Sequence, residues 1–365
     1  MIICANPKAQ YLAYEKEINN ALLAVLNGNQ YVLGDQVKKL EASFANYIGV
    51  SSAIGVANGT DAIEIALRAM GIGQGDKVIT VSHSAVATIA GIEATGATAV
   101  VVDLEKDFFT MDATLLEGAY SPEVKAVVAV HIYGQPSKID EIKAFCVEKN
   151  VFLIEDSAQA HGAKFQGSRL GSIGDVGTFS CYPTKNLGAI GDGGLIVTNN
   201  PALEKKMRMI REYGWQDRIS KVKGRNSRLD ELQAAILNVK LLHLDEDNQK
   251  RRRLADIYDQ LGCEEFITPV RRPNCEHVFH LYVCKTKRRN DLIKFLNKRS
   301  IFPGIHYIQP IHLQPAYLNN LELGSDLLVT ESICDEIISL PMYPELPLAD
   351  AETVCIAIKE FLQQL

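Results

Sequence analysis

The sequence predicts an α/β fold: a large domain on a mostly parallel sheet, followed by a smaller α+β domain. Three observations carry this prediction. Short apolar runs rich in β-branched residues fall at 77–81, 99–102, 126–131, 152–155, 177–181 and 194–198. Stretches with apolar side chains at helical spacing separate them, at 60–71, 86–95, 137–149 and 201–212. Beyond about residue 265 this alternation stops and a mixed pattern begins. Alternating strand and helix builds a sheet covered on both faces, so its strands are apolar throughout.

The elements follow in order. Two helices come first, one over 11–28 (Leu12, Ile18, Ala21, Leu22, Val25 and Leu26 share a face) and one over 36–48. The strand–helix alternation occupies the next 150 residues. A long helix is expected over 229–262, interrupted between Asp245 and Asn248, and the Lys250-Arg251-Arg252-Arg253 run beyond it reads as a solvated face. A strand at 278–286, a helix at 290–299, an irregular stretch rich in His, Pro and Tyr at 302–318, and helices at 327–339 and 350–364 complete the chain. At 365 residues the chain is long for one core, and the pattern divides it into a large domain, 1–245, and a small one, 246–365.

Composition narrows the function. Thirty-eight basic residues stand against 44 acidic ones, so no global basic field draws nucleic acid or an anionic membrane. The eight cysteines are scattered, with no C-x-x-C pair, and read as small buried hydrophobes of a reducing compartment. The histidines fall at no recognised metal-ligand spacing. The first residues lack a basic stretch followed by a long apolar one, and no apolar run reaches membrane-spanning length. A cytoplasmic protein without metal is the expectation.

Ligands of such sheets sit at the carboxyl ends of the strands, and three segments there carry chemistry. In the first, Ser180-Cys181-Tyr182-Pro183-Thr184-Lys185 ends a strand and runs into a loop with glycines at 188, 191, 193 and 194. A lone lysine at this edge is partly desolvated, which lowers its pKa and leaves an amine able to form a Schiff base. Read alone, the segment fits a surface lysine equally well. In the second, Phe152-Leu153-Ile154-Glu155-Asp156 is a buried strand ending in an acid, with Gln159 just beyond. Pyridoxal phosphate (PLP) needs a carboxylate at its ring nitrogen, although a helix N-cap is the commoner use of an Asp here. In the third, Asn58-Gly59-Thr60 opens a helix, and the free N–H groups of a helix start attract phosphate. Together the three segments supply an amine, a carboxylate and a phosphate cradle.

These residues resemble the DegT/DnrJ/EryC1/StrS sugar aminotransferase family, within the fold-type-I (aspartate aminotransferase-like) PLP enzymes. The resemblance runs from Tyr31-Val32-Leu33-Gly34 through Asn58-Gly59-Thr60-Asp61-Ala62, His131-Ile132-Tyr133-Gly134-Gln135-Pro136 and Glu155-Asp156-Ser157-Ala158-Gln159. It continues over the lysine loop, Asn226-Ser227-Arg228-Leu229-Asp230-Glu231 and His306-Tyr307-Ile308-Gln309-Pro310-Ile311-His312. It implies that Lys185 is the Schiff-base lysine and proton shuttle, that Asp156 pairs with the pyridinium nitrogen, and that Gln159 touches the ring hydroxyl. Gly59, Thr60 and Ser180 hold the phosphate. Asn226 reaches the phosphate of the neighbouring subunit's cofactor, so the working unit is a homodimer. The implied reaction is ping-pong transfer of an amino group from L-glutamate to a nucleotide-linked keto-sugar.

Two features refine the resemblance. Dehydratase relatives carry histidine where this chain has Lys185, which favours transamination. Many members place an aromatic residue over the cofactor ring, whereas the matching position here is Ala85, leaving His83 as a substitute cover or the ring face open. Tyr182, Arg218, His306, Tyr307 and His312 are the candidate substrate contacts, with Arg218 and its basic neighbours Lys221, Lys223 and Arg225 placed to clamp a diphosphate. The Tyr213-Gly214-Trp215 loop and the 83–88 stretch are most similar to the 3-aminotransferases of dTDP-3-keto-6-deoxyhexoses. The competing readings are a 4-keto-sugar aminotransferase, a PLP-dependent sugar dehydratase, and a sensory protein that keeps the fold without catalysis.

Overall fold

The computed structural model describes residues 1–318 and 320–364. Its centre is an eight-stranded sheet. Seven strands are β1 (Ser52–Val56), β2 (Lys77–Val81), β3 (Thr98–Val102), β4 (Val124–Val130), β5 (Phe152–Asp156), β6 (Val176–Ser180) and β7 (Gly194–Thr198). Glu322–Leu323 adds an edge strand, and the spatial order is Glu322–Leu323, β3, β2, β4, β5, β6, β7, β1. Pairing is parallel from the edge through β6, while β7 lies antiparallel to both β6 and β1.

Apolar side chains on both faces explain this arrangement. Ile79, Val100, Val127 and Leu153 point into one core, while Val78, Val101, Val128 and Ile154 point into the other. Neighbouring residues thus serve opposite faces. Burying each such side chain contributes about 1.5–3 kcal/mol. The sequence pattern missed β1, because Ala53 and Gly55 dilute its apolar signal and it sits at an edge.

The long helix, Glu231–Tyr258, runs without a break. The expected interruption between Asp245 and Asn248 is therefore corrected. The polar residues there are interior ties rather than helix breakers: the Tyr14 hydroxyl donates to Asp247 at 2.7 Å. The solvated face expected of the basic run is corrected at Arg251, which is buried and donates to the Phe279 and Met342 carbonyls. Position 245/246 lies inside this helix.

A third core gathers Leu254, Tyr258, Phe279, Tyr282, Ile338 and Phe361, together with Ile2 from the other end of the chain. Ile2–Ile3 pairs in parallel with Ile301–Phe302. The helix expected over 327–339 ends at Glu336, and Ile337–Leu340 (β9) instead pairs antiparallel with Tyr282–Lys285 (β8). An unbroken apolar run does not distinguish strand from helix. All eight cysteines are free, and no described helix is long and apolar enough to cross a membrane.

Candidate active site

The carboxyl ends of β5 and β6 bring Asp156 and the lysine loop side by side. The loop, 181–193, leaves β6 and returns into β7. It is folded by its own backbone: Cys181 N–H donates to Gly193, Ala189 N–H to Cys181, and Lys185 N–H to Tyr182, all at 2.7–2.8 Å. A Cβ on Gly188 would lie 2.5 Å from the Pro183 carbonyl oxygen, so the tight turn requires a glycine there.

The loop is also tied from below. The Asn186 amide donates to Asn248 at 2.8 Å and to the Val278 carbonyl at 3.1 Å, and its oxygen bonds the His280 ring at 3.2 Å. Buried Lys240 donates to the Gly188 carbonyl at 2.7 Å and to Gln10 at 2.8 Å. None of these ties carries a local sequence signal except Asn186, which adjoins the lysine.

Lys185 stands between two chambers and lines both. Desolvation lowers its amine to about 8, against the attraction of Asp156. Burial likewise raises the Asp156 carboxyl, opposed by the Thr88 hydroxyl, the Ala158 N–H and Lys185. Each member of the pair is thus drawn toward its neutral form. Glu155, pointing away behind the sheet, is held below the usual range despite its burial: His131 and the Gly171, Ile173 and Gly174 N–H groups all donate to it.

The first chamber, about 290 Å³, is lined by Gly59, Thr60, Thr88, Asp156, Gln159 and Ser180, with Tyr182 at its mouth. Helix Gly59–Ala69 points its start into it. The Asn58 side chain caps the Asp61 N–H at 2.8 Å, leaving Gly59 and Thr60 N–H without intrahelical acceptors. A Cβ on Gly59 would fall 2.7 Å from Ser180 Cβ, so only glycine lets the helix start approach the serine this closely. Gln159 is fixed at both ends: it accepts from Tyr133 N–H at 2.7 Å and donates to the Tyr307 hydroxyl at 2.9 Å.

These groups suit PLP. N–H groups and a hydroxyl meet a phosphate, a buried carboxylate meets a ring nitrogen, and a desolvated amine meets the reactive carbon.

The second chamber, about 300 Å³, lies on the other side of Tyr182 and Lys185. Asn6, Arg251, His306, Tyr307, Tyr343 and Glu345 line it. His306 bonds Ser339 at 2.8 Å, and burial, then Lys185, lowers its pKa. Both Glu345 carboxylate oxygens and Arg251 Nε are buried without a partner among the described residues.

Other expected residues lie elsewhere. His83 is not over the first chamber: it bonds the Tyr133 hydroxyl at 2.5 Å and sits 3.6 Å from Cys334 Sγ, and burial lowers it to about 4. The stacking role considered for it is corrected, and Ser84, Ala85 and Thr88 form that wall instead. His312 is outside both chambers, held between Ser82 at 2.7 Å and Glu331 at 3.2 Å. Arg218 occupies the exposed tip of the Trp215–Gln216/Ile219–Ser220 hairpin, and Asn226 is exposed next to buried Ser227. Of the expected clamp, Arg225 is already paired with Glu64 and Asp61.

Fold and site together define a PLP-dependent aminotransferase of fold type I. The chain belongs to the DegT/DnrJ/EryC1/StrS aminotransferase family, whose model matches residues 13–359. It is 40% identical over 361 residues to the dTDP-3-amino-3,4,6-trideoxy-alpha-D-glucose transaminase of Streptomyces venezuelae, covering 98% of this chain and 95% of that protein. It is 41% identical over 357 residues to a pleiotropic regulatory protein of Geobacillus stearothermophilus, covering 96% of each. The crystal structure of S. venezuelae DesV in complex with a ketimine intermediate is similar with a TM-score of 0.96 at 40% identity, over 99% of this chain and 98% of that one.

Proposed function

We propose that the protein transfers an amino group from L-glutamate to the ketone of a nucleotide-linked sugar, with a dTDP-3-keto-6-deoxyhexose as acceptor. The observation that carries this reading is Lys185 standing between a chamber suited to the cofactor and a second chamber lined in part by Asn6, Arg251, His306 and Glu345. The substrate class is supported by the similarity to the dTDP-sugar transaminase.

Bound PLP supplies an electron-withdrawing ring that stabilises the charge left on a substrate carbon when its proton is removed. In this reading Gly59, Thr60 and Ser180 would hold the phosphate, Asp156 would keep the ring nitrogen protonated, and Gln159 would orient the ring hydroxyl. Lys185 Nζ would be the group that takes the proton from the donor's α-carbon and holds it for return. In the second half-reaction it moves a proton in the opposite sense, onto the sugar carbon. An amine lowered to about 8 is suited to both directions near neutral pH. Tyr182, His306 and Tyr307, at the second chamber, orient the sugar.

The working unit in this reading is a homodimer in which Asn226 reaches the neighbouring cofactor's phosphate. Tyr31, Val32, Ile190 and Leu232 are all exposed around the start of the long helix, where Val32 bridges to Asp230 and Gln233 bonds Ile190. Exposed apolar side chains gathered this way suit a two-fold contact. Arg218, on the exposed hairpin, then contacts the diphosphate across that interface.

The test follows the visible band of the holoenzyme. L-Glutamate should bleach it, and a dTDP-3-keto-6-deoxyhexose should restore it. Recovery only with 4-keto sugars would move the acceptor carbon, and no response to glutamate would defeat the donor assignment. Arg218→Ala should raise the sugar-nucleotide KM about tenfold, as loss of one charge-assisted contact does, and leave the glutamate half-reaction unchanged.

A further inference from the structure

We propose that Thr88 is a positioning residue for the cofactor: with Ser84 it forms a two-hydroxyl relay that donates to Asp156 and fixes the charge and orientation of that carboxylate. The proposal rests on the reading of Asp156 as the partner of the ring nitrogen.

The geometry is specific. Thr88 Oγ1 donates to Asp156 Oδ2 at 2.8 Å, and Ser84 Oγ lies 2.8 Å from Thr88 Oγ1. The other carboxylate oxygen, Oδ1, accepts from Ala158 N–H at 3.2 Å. An ionised carboxylate only accepts, so the one proton of Thr88 goes to Asp156. Thr88 must then accept from Ser84, which gives the chain one direction: Ser84 to Thr88 to Asp156.

All three residues are buried, at 4%, 1% and 5% exposure. With the cofactor filling the chamber that these residues line, water would not be at hand to replace a lost donor, and a buried carboxylate deprived of one drifts toward its neutral acid. Two other groups act on its charge, Lys185 from the loop and His131 just beyond β4, and neither donates a hydrogen bond to the carboxylate among the described contacts; the His131 N–H bonds the Asp156 main-chain carbonyl instead. Thr88 is thus the only side chain among the described residues that donates a hydrogen bond to Asp156.

Thr88 is also anchored. Its N–H bonds the Ala85 carbonyl at 3.2 Å, and it sits in helix Ala87–Glu93 beside the chamber wall. The small side chain of Ala85 leaves this wall without an aromatic cover. Control of the ring then falls on its edge, at Asp156, which is where the relay acts.

The test compares Thr88→Val, Thr88→Ser, Ser84→Ala and Asp156→Asn as holoenzymes. Two quantities are read: the dissociation constant of pyridoxamine phosphate and the pH midpoint of the visible band. Valine keeps the shape and removes the donor; serine keeps the donor and removes a methyl. Thr88→Val should weaken pyridoxamine phosphate about tenfold or more, the loss of a hydrogen bond to a charged group, and displace the midpoint. Thr88→Ser should stay close to wild type, and Ser84→Ala should shift both readouts in the same direction by less.

A Thr88→Val enzyme matching wild type in both readouts, beside an impaired Asp156→Asn, would overturn the relay alone. Asp156→Asn behaving as wild type would remove the underlying assignment as well. Equal damage in Thr88→Ser and Thr88→Val would identify a packing role and overturn the proposal. Should the valine variant fail to fold, Ser84→Ala decides: an unchanged midpoint and dissociation constant overturn the relay.

Discussion

The two chambers that meet at Lys185 are built on opposite plans. On the Asp156 side, polar groups sit at strand ends or on a helix start, and the key ones are already held. Asp156 has Thr88 and Ala158, and Gln159 has Tyr133 and Tyr307. On the other side, the Glu345 carboxylate oxygens and Arg251 Nε are buried with no hydrogen-bond partner among the described residues, and much of the wall is connecting segment: residues 4–7, the lysine loop and 342–345. A group retained through every turnover is served by rigid, satisfied contacts. Substrates that come and go are served by groups whose partners arrive with the ligand. The difference is between a cradle and a docking space, with the lysine as the shared wall.

Removing that wall gives the largest expected effect. Lys185→Ala should lower amino transfer by at least about a thousandfold, the upper part of the range for loss of a proton-transferring group. It should also remove the visible band formed with the amine, while cofactor still binds noncovalently through the remaining cradle. Rate and spectrum are both read on the purified variant, and full turnover would end the assignment. Gly59→Ala attacks the cradle by shape. The new methyl would sit 2.7 Å from Ser180 Cβ and 3.2 Å from its Cα, so either the helix start or β6 must move. Overpacking of this kind should weaken cofactor binding about tenfold, as measured by equilibrium dialysis; unchanged affinity would mean that the phosphate lies elsewhere.

Most of the cradle was legible in the sequence, and most of the docking space was not. Lys185, Asp156, Gly59 and Ser180 stand at the ends of strands or the start of a helix, where local pattern locates them. Tyr307 and His306 were legible through resemblance. Glu345, Gln10 and Lys240 join the site only because distant segments fold against one another, and nothing in their neighbouring residues announces it. His83 and Thr88 show the limit within one short segment. Both lie in the 83–88 stretch that sequence reading singled out for the ring, but backbone direction sends His83 toward Tyr133 and Thr88 toward Asp156. The same limit governs the long helix. Asp247 and Asn248 read as a polar break, and Arg251 as part of a solvated face, because their partners, Tyr14, Asn186 and the Phe279 and Met342 carbonyls, are far away in the chain.

Those ties lead to the next effect in size. Asn186→Ala leaves three partners unmet in the interior: Asn248, the Val278 carbonyl and His280. The expected cost is about 1–3 kcal/mol of stability, read as a lower urea midpoint, with slower transamination because the lysine loop is less firmly placed. A variant as stable as wild type would show that Lys240 and Gln10 hold the loop by themselves.

Glu345→Gln should give the smallest effect, and it bears most directly on the contrast between the chambers. Burial, aided by repulsion from Asp247, raises the Glu345 carboxyl above its ordinary value of 4.5, while its own backbone N–H, then Arg251 and Lys250, oppose the shift. The sign follows from which state holds the proton. Below 4.5 the acid is protonated folded or unfolded, and it imposes no pH-dependent cost. As pH rises through the elevated folded value, the unfolded chain gains more from ionisation, so stability is lost. Glutamine does not ionise and escapes that loss. The melting temperature of the cofactor-free variant should therefore match wild type at the acid end and exceed it as pH rises toward 8. A variant no more stable than wild type at pH 8 would mean that the carboxylate is well paired in solution, and the contrast between the chambers would not extend to it.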